Sequence, residues 1–171
     1  MLNVDNQNRA RAKLVIGLSP GIHLRSLQRA LGVSFTTARY HVRNLERDGE
    51  ITSSEAGRYC RLFPAGTTEE MKRTYEALQD GSTRRVLSAL VGGSGDLTNG
   101  ELCRRAGLSA ATVGECLKAL VGSGLARRYC SPDGRVLFGA LETERIRPIL
   151  SSFEKNMLDI ASDRFIDLWD V

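Results

Sequence analysis

Histidine, cysteine and aromatic residues are scarce in this chain, and each shortage removes a class of function. The two histidines, His23 and His41, have no carboxylate or cysteine near them in sequence, which argues against metal binding or acid–base catalysis at either. The four cysteines, Cys60, Cys103, Cys116 and Cys130, include no CxxC pair, so a metal site is not expected. They read as small core or strand residues; Cys60 and Cys130, each beside a tyrosine, are the two that a redox role could use. No apolar run approaches the 18 or so residues of a membrane span, and no leader pattern opens the chain, so a soluble, cytoplasmic protein with reduced thiols is expected. No nucleophile with a base and no carboxylate pair stands out. Gly92-Gly93-Ser94-Gly95 lacks the Lys-Ser/Thr that a phosphate-cradling loop needs. A non-enzymatic protein without cofactor or metal is therefore expected. Only Phe35, Tyr40 and Tyr59 offer stacking surfaces in the N-terminal part, which disfavours an RNA platform.

What the chain does have is an uneven charge. Residues 1–66 hold 10 Lys/Arg against 5 Asp/Glu, residues 67–141 hold 10 against 8, and residues 142–171 hold 4 against 7. The basic excess lies in the N-terminal part, which suits a polyanionic partner there and a different task for the tail.

The most informative stretch is 24–63, LRSLQRALGVSFTTARYHVRNLERDGEITSSEAGRYCRLF. Leu24, Leu27, Ala30 and Leu31 share one face of a helix, and Gly32 follows where a left-handed residue must turn the chain. Ser34 stands at the N-cap of a second helix over 35–47, whose Ala38, Val42 and Leu45 make a buried face and whose Asp48-Gly49 is a stop signal. Thr36, Thr37, Arg39, Tyr40 and Arg43 are left on the outer face, as donors and an aromatic on a helix of major-groove width. A strand over 51–54, a turn at Glu55-Ala56-Gly57 and a returning strand over 58–63 complete a helix-turn-helix with a wing. Such a motif without a basic face is a common packing solution; the order of pieces here favours nucleic-acid binding.

Around it the periodicity predicts a helix over 9–18 ended by Ser19-Pro20-Gly21. Arg9, Arg11 and Lys13 fall on its outer side, either as a solvated face or in reach of a DNA backbone. A connector helix follows Thr67-Thr68-Glu69-Glu70, and another spans 82–91. A shift of 75 positions then lays Leu27–Ser34 on Leu102–Ser109, Leu45 on Leu120, Gly49 on Gly124 and Leu62-Phe63 on Leu137-Phe138, which predicts a second winged unit with its wing over 126–138. In the second unit Ala111, Thr112, Gly114, Glu115 and Lys118 replace the outer-face residues of the first, so reading is assigned to the first unit. The second is left to backbone contacts through Arg127, Arg128 and Arg135, or to a protein-facing role. The tail forms an amphipathic helix over 145–170. Its Ile149, Phe153, Met157, Ile160, Phe165, Leu168 and Trp169 either fold back on the chain or pair with a second copy, and pairing is favoured.

The run PGIHLRSLQRALGVS…YHVRNLERDG followed by GRYCRLFP resembles the archaeal winged helix-turn-helix regulators related to the MarR and ArsR groups, over about residues 9–141. The resemblance implies a cytoplasmic, nucleoid-associated, dimeric regulator of transcription whose reading helix follows Ser34; the metal-ligand cysteines of the ArsR type are absent. The expected fold is mainly α with small β wings. It comprises a winged domain at 1–66, a connector helix at 67–81, a second winged domain at 82–141 and a dimerisation helix at 142–171. The expected partners are double-stranded DNA, a second copy and, as an alternative, a protein of the transcription or replication machinery. Thr36, Thr37, Arg39 and Tyr40 are assigned to base edges, and Ser34, Arg43, Arg58 and Arg61 to the backbone.

Overall fold

The computed structural model of the protein describes residues 4–56 and 59–167. Arg58, Leu168 and Trp169 lie outside the described residues, as does the side chain of Phe165. In order come α1 (Val4–Leu18), β1 (Ile22–His23), α2 (Leu24–Leu31), α3 (Phe35–Arg47), β2 (Ile51–Ala56), β3 (Tyr59–Pro64), α4 (Glu69–Gln79) and α5 (Gly81–Val91). Then follow α6 (Asn99–Ala106), α7 (Ala110–Gly122), β4 (Ala126–Cys130), β5 (Val136–Ala140) and α8 (Thr143–Asp167). The fold is mainly helical with two small antiparallel sheets. It divides into two compact units, Met1–Tyr75 with Phe153–Val171, and Glu76–Ser152. The units therefore cut through α4 and α8, where the sequence suggested a separate connector and a separate tail.

In the first unit the apolar positions converge as their helical spacing requires. Ala12 and Ile16 from α1, Leu27 and Leu31 from α2, and Val42 and Leu45 from α3 close over Ile22, Ile51 and Leu62 of the sheet. The turn between α2 and α3 is set locally: Gly32 adopts φ 67°, and Ser34 Oγ accepts from the Thr37 backbone N–H at 3.1 Å. Two features differ from expectation. The first helix begins at Val4, a turn and more before residue 9. The second is β1, a two-residue strand that pairs Ile22 with Leu62 and makes the sheet three-stranded in the order β1-β3-β2. Two residues are too few to show alternation in a sequence.

The second unit repeats the arrangement. Ser109 Oγ accepts from the Thr112 N–H at 3.2 Å, as Ser34 does for Thr37. Thr98 and Glu101 close a reciprocal capping box at the start of α6, and Asp80 Oδ1 accepts from the Thr83 N–H at 2.7 Å at the start of α5. The repeat register, however, slips. Ile51 pairs with Pro64 in the first wing, and Ala126 with Ala140 in the second. The shift is thus 75 on the outgoing strand and 76 on the return. The structural counterpart of Leu62 is Phe138, not Leu137, because the second hairpin is one residue longer. Leu97 confirms it: it bridges Phe138 as its counterpart Ile22 pairs with Leu62. Gly139 then occupies the place of the fully buried Phe63, and the carboxylate of Asp96 fills the space a side chain there would need.

The tail helix packs on its own chain. Ile146 and Leu150 are buried in the second unit, where Arg147 Nη2 also donates to the Val91 carbonyl at 3.2 Å. In the first unit Phe153 is 2% exposed, Asn156 Nδ2 donates to the Leu18 carbonyl at 3.1 Å, and Ser19 Oγ donates to Met157 Sδ at 3.6 Å. Phe153 is therefore covered intramolecularly and not left for a second copy, because folding back removes its ring from water without the entropic cost of association.

Candidate nucleic-acid interface

The α3 helix carries two faces that its sequence separates by about 100° per residue. Ala38, His41, Val42 and Leu45 are buried, while Thr36, Arg39, Tyr40 and Arg43 are exposed on one arc of the opposite side. His41, 1% exposed, is thereby a core residue; its ring meets Tyr40 edge-on at 5.5 Å between centroids, which steadies an aromatic that is itself 51% exposed. Arg39 and Arg43 have no carboxylate partner among the described residues. Thr37 is half-buried and its hydroxyl lies 2.8 Å from Ser34 Oγ. Ser34 and Thr37 thus complete each other's hydrogen bonds at the helix start, which places both in the scaffold of the reading helix.

Several basic residues assigned from sequence turn out to be engaged within the protein. Arg61 is half-buried, and its Nη1 donates to the Gly21 carbonyl at 3.1 Å. It brackets β1 to β3 at the wing root and does not extend as a phosphate arm. Arg9 pairs with Asp48, and Lys13 pairs with Glu50 at 3.2 Å, so α1 is held to the end of α3 and the start of β2. The Arg9 guanidinium, followed by Arg47, holds the Asp48 carboxyl below the usual carboxylate range. In the second wing Arg127 Nη2 lies 3.0 Å from Asp96 Oδ2, and Arg135 Nε lies 2.6 Å from Asp133 Oδ2. Both charges are locally neutralised, and Arg128 alone of the three has no acidic partner among the described residues. The Tyr129 hydroxyl also donates to Asp96 Oδ2 at 2.6 Å, which raises its own pKa.

Two further arginines, not expected from the sequence, belong to this surface. Arg25 and Arg29 sit one turn apart on the exposed side of α2, without an acidic partner among the described residues. They line a groove of about 520 Å³ with His23, Leu24, Ser26, Phe35 and Cys60. Their i, i+4 spacing opposite Leu27 and Leu31 was the available signal. The groove joins α2 to the first residue of α3 and to Cys60 of β3, so unpaired cations flank the reading face. Cys60 is half-buried there and burial pushes its thiol pKa up, the reverse of what a redox-sensing thiolate needs. All four cysteines are free.

On the second unit the equivalent helix is chemically plain. Gly114 stands where Arg39 stands in the first, and Lys118 Nζ is paired with Glu115 at 2.8 Å. Among the described residues no cluster of three His, Cys, Asp or Glu could hold a metal ion, and no helix is long and apolar enough to cross a membrane.

Comparison with known proteins agrees with this geometry. A family described as an N-terminal HTH domain matches residues 6–75, and the IclR helix-turn-helix domain matches residues 83–129. The second match is to the IclR type, where the sequence had suggested MarR or ArsR relatives. No curated protein matches the chain. Among solved structures the chain is similar to ScpB from Mycobacterium tuberculosis, with 15% identity and a TM-score of 0.32 over 86% of this chain and 98% of that one. Two helix-turn-helix domains in tandem, the first with an open basic face, support a DNA-binding regulator.

Proposed function

We propose that the protein is a non-enzymatic, sequence-specific double-stranded DNA-binding regulator of transcription in which the first unit does the reading. The observation that carries this is the contrast between the two reading helices. The first presents Thr36, Arg39, Tyr40 and Arg43 on one exposed arc with Arg25 and Arg29 beside it, none of the four arginines paired to an acid among the described residues; the second presents glycine, alanine and a closed Lys–Glu pair. An α-helix fits the major groove, and arginine is the side chain best suited to bidentate contact with guanine. In this reading Arg39 and Tyr40 meet base edges, and Arg25, Arg29 and Arg43 meet phosphates. In this reading α8 also serves a homodimer, with Leu158, 70% exposed, and Ile160, half-buried, on the surface between copies. Two reading helices would then address two half-sites.

The test is selection of bound sequences from random duplex DNA at near-physiological salt. Recovery of an inverted repeat with half-sites about one helical turn apart, or a multiple of it, is expected. Absence of any enriched motif sinks the reading. A second reading, an adaptor that docks on a transcription or replication assembly with only non-specific DNA contact, is favoured by the internally paired arginines of the second wing. It predicts sequence-indifferent, salt-labile binding.

A further inference from the structure

The outer face of α7 carries a hollow of about 460 Å³. Its floor is Leu117 and Phe138, both buried, and Val121 forms an exposed apolar wall. The hollow exists because Gly114 has no side chain: nothing lies within 4 Å of where its Cβ would stand. In the first unit the corresponding positions of Gly114, Val121 and Gly122 are Arg39, Glu46 and Arg47, so charge and bulk occupy the same place there. Three polar side chains line the hollow, Asn99, Lys118 and Arg128. Arg128 is opposite Phe138 in the β4–β5 ladder, and cross-strand partners point to the same side of a sheet, so the guanidinium stem and the ring line the same wall. Its neighbours Arg127 and Arg135 are tied to Asp96 and Asp133, and Lys118 is tied to Glu115, whereas Arg128 has no acidic partner among the described residues.

We propose that this hollow binds a small organic anion with an apolar body, its carboxylate taken by Arg128 and its body laid against Leu117, Val121 and Phe138. The volume falls in the range of small-molecule pockets, and the lining has their usual composition, apolar with few polar groups that fix orientation. A guanidinium is the side chain that best matches the planar geometry of a carboxylate. A neutral guest would leave that cation without a counter-charge, and a cationic one would be repelled. The site belongs wholly to the second unit and stands independently of DNA reading by the first. It also gives Gly114 a role: a residue that weakens a helix makes room here through its missing side chain.

The experiment is an NMR titration of the full chain with 1-naphthoate, benzoate and octanoate, and with the neutral 1-naphthalenemethanol as control. Saturable shifts at residues 114–122, 128 and 138 are expected with at least one carboxylate, and the neutral control should bind about tenfold more weakly or less. Arg128→Gln, an exposed position, should weaken binding by about 10- to 100-fold. Gly114→Leu should fill the hollow and abolish binding while raising the unfolding temperature, because leucine is the better helix former and its Cβ meets no neighbouring atom. No saturable shift with any of the three carboxylates, equal binding of the neutral control, or binding indifferent to both substitutions would each overturn the proposal.

Discussion

Replacing Gly139 by alanine asks one methyl group to enter an occupied site. The new Cβ would stand 2.0 Å from Asp96 Oδ1 and 2.7 Å from its Cγ, against an ordinary separation of about 3.5 Å. Backbone strain is not at issue, since Gly139 has no positive φ. The obstacle is a carboxylate that Arg127 and Tyr129 hold in place at 3.0 and 2.6 Å. Either the acid swings out and both bonds break, or β5 moves away and the bridge between Leu97 and Phe138 stretches. Overpacking of a buried position of this kind costs about 1–3 kcal/mol. Urea unfolding of Gly139→Ala should show that loss, and hydrogen exchange should accelerate at Leu97 and across 126–140. The decisive variant is Asp96→Ala combined with Gly139→Ala. If the clash is the cause, the two losses are strongly non-additive and the double variant is about as stable as Asp96→Ala alone. Additive losses would refute the account.

Three further outcomes follow from the geometry. Arg43→Gln and Arg29→Gln should each flatten the slope of log affinity against log salt by about 0.9 if the side chain meets a phosphate, whereas Arg39→Gln should change sequence preference by about 1–3 kcal/mol; indistinguishable behaviour would dissolve the assignment of the surfaces. Acid should destabilise the fold. Asp48, Asp80 and Glu101 are held below the ordinary carboxylate range, by Arg9 foremost, by the Thr83 backbone N–H and by the Thr98 backbone N–H respectively. A depressed folded-state pKa contributes stability fully above the unfolded pKa and loses it as pH falls through the folded one. The unfolding temperature should therefore hold from pH 7 to about 5 and drop below about 4, and the drop should be shallower in Asp80→Asn. Leu27→Ala, at a fully buried position, should cost about 2–5 kcal/mol by cavity formation in the first unit; a cost near zero in thermal unfolding would contradict its place in the core.

What could be read directly was whatever local chemistry dictates. Gly32, Ser34 and the Asp48-Gly49 stop placed α2 and α3 to the residue, because a left-handed turn, a capping hydroxyl and a helix stop act within a few residues of themselves. The exposed arc of Thr36, Arg39, Tyr40 and Arg43 followed from helical periodicity alone. Illegible features depend on contacts across long separations. Arg127 meets Asp96 31 residues away and Arg61 meets Gly21 40 residues away, so nothing in the wing itself reveals that these arginines are engaged. The fixed shift of 75 could not accommodate an added residue inside a repeat. For the tail, an apolar stripe states that something must cover it, and each unit supplies its own cover only once the chain is folded, the first around Phe153 with the carbonyl of Leu18 and the second around Ile146.

The single added residue in the second hairpin has a wider consequence. Because strand side chains alternate with period two, a residue added within a strand would exchange its two faces; here it is taken up at the tip, so the returning strand keeps its pairing and its buried positions and only the residues that fill them change. The arginine that props the first wing root gives way to Leu137, and the buried phenylalanine to a glycine backed by an acid from another segment. Duplicated modules of this kind can change length at the least constrained point of the hairpin while the pairing behind it is preserved. A chimera joining the first outgoing strand to the second return would therefore need its tip length, more than any side chain, matched to the host.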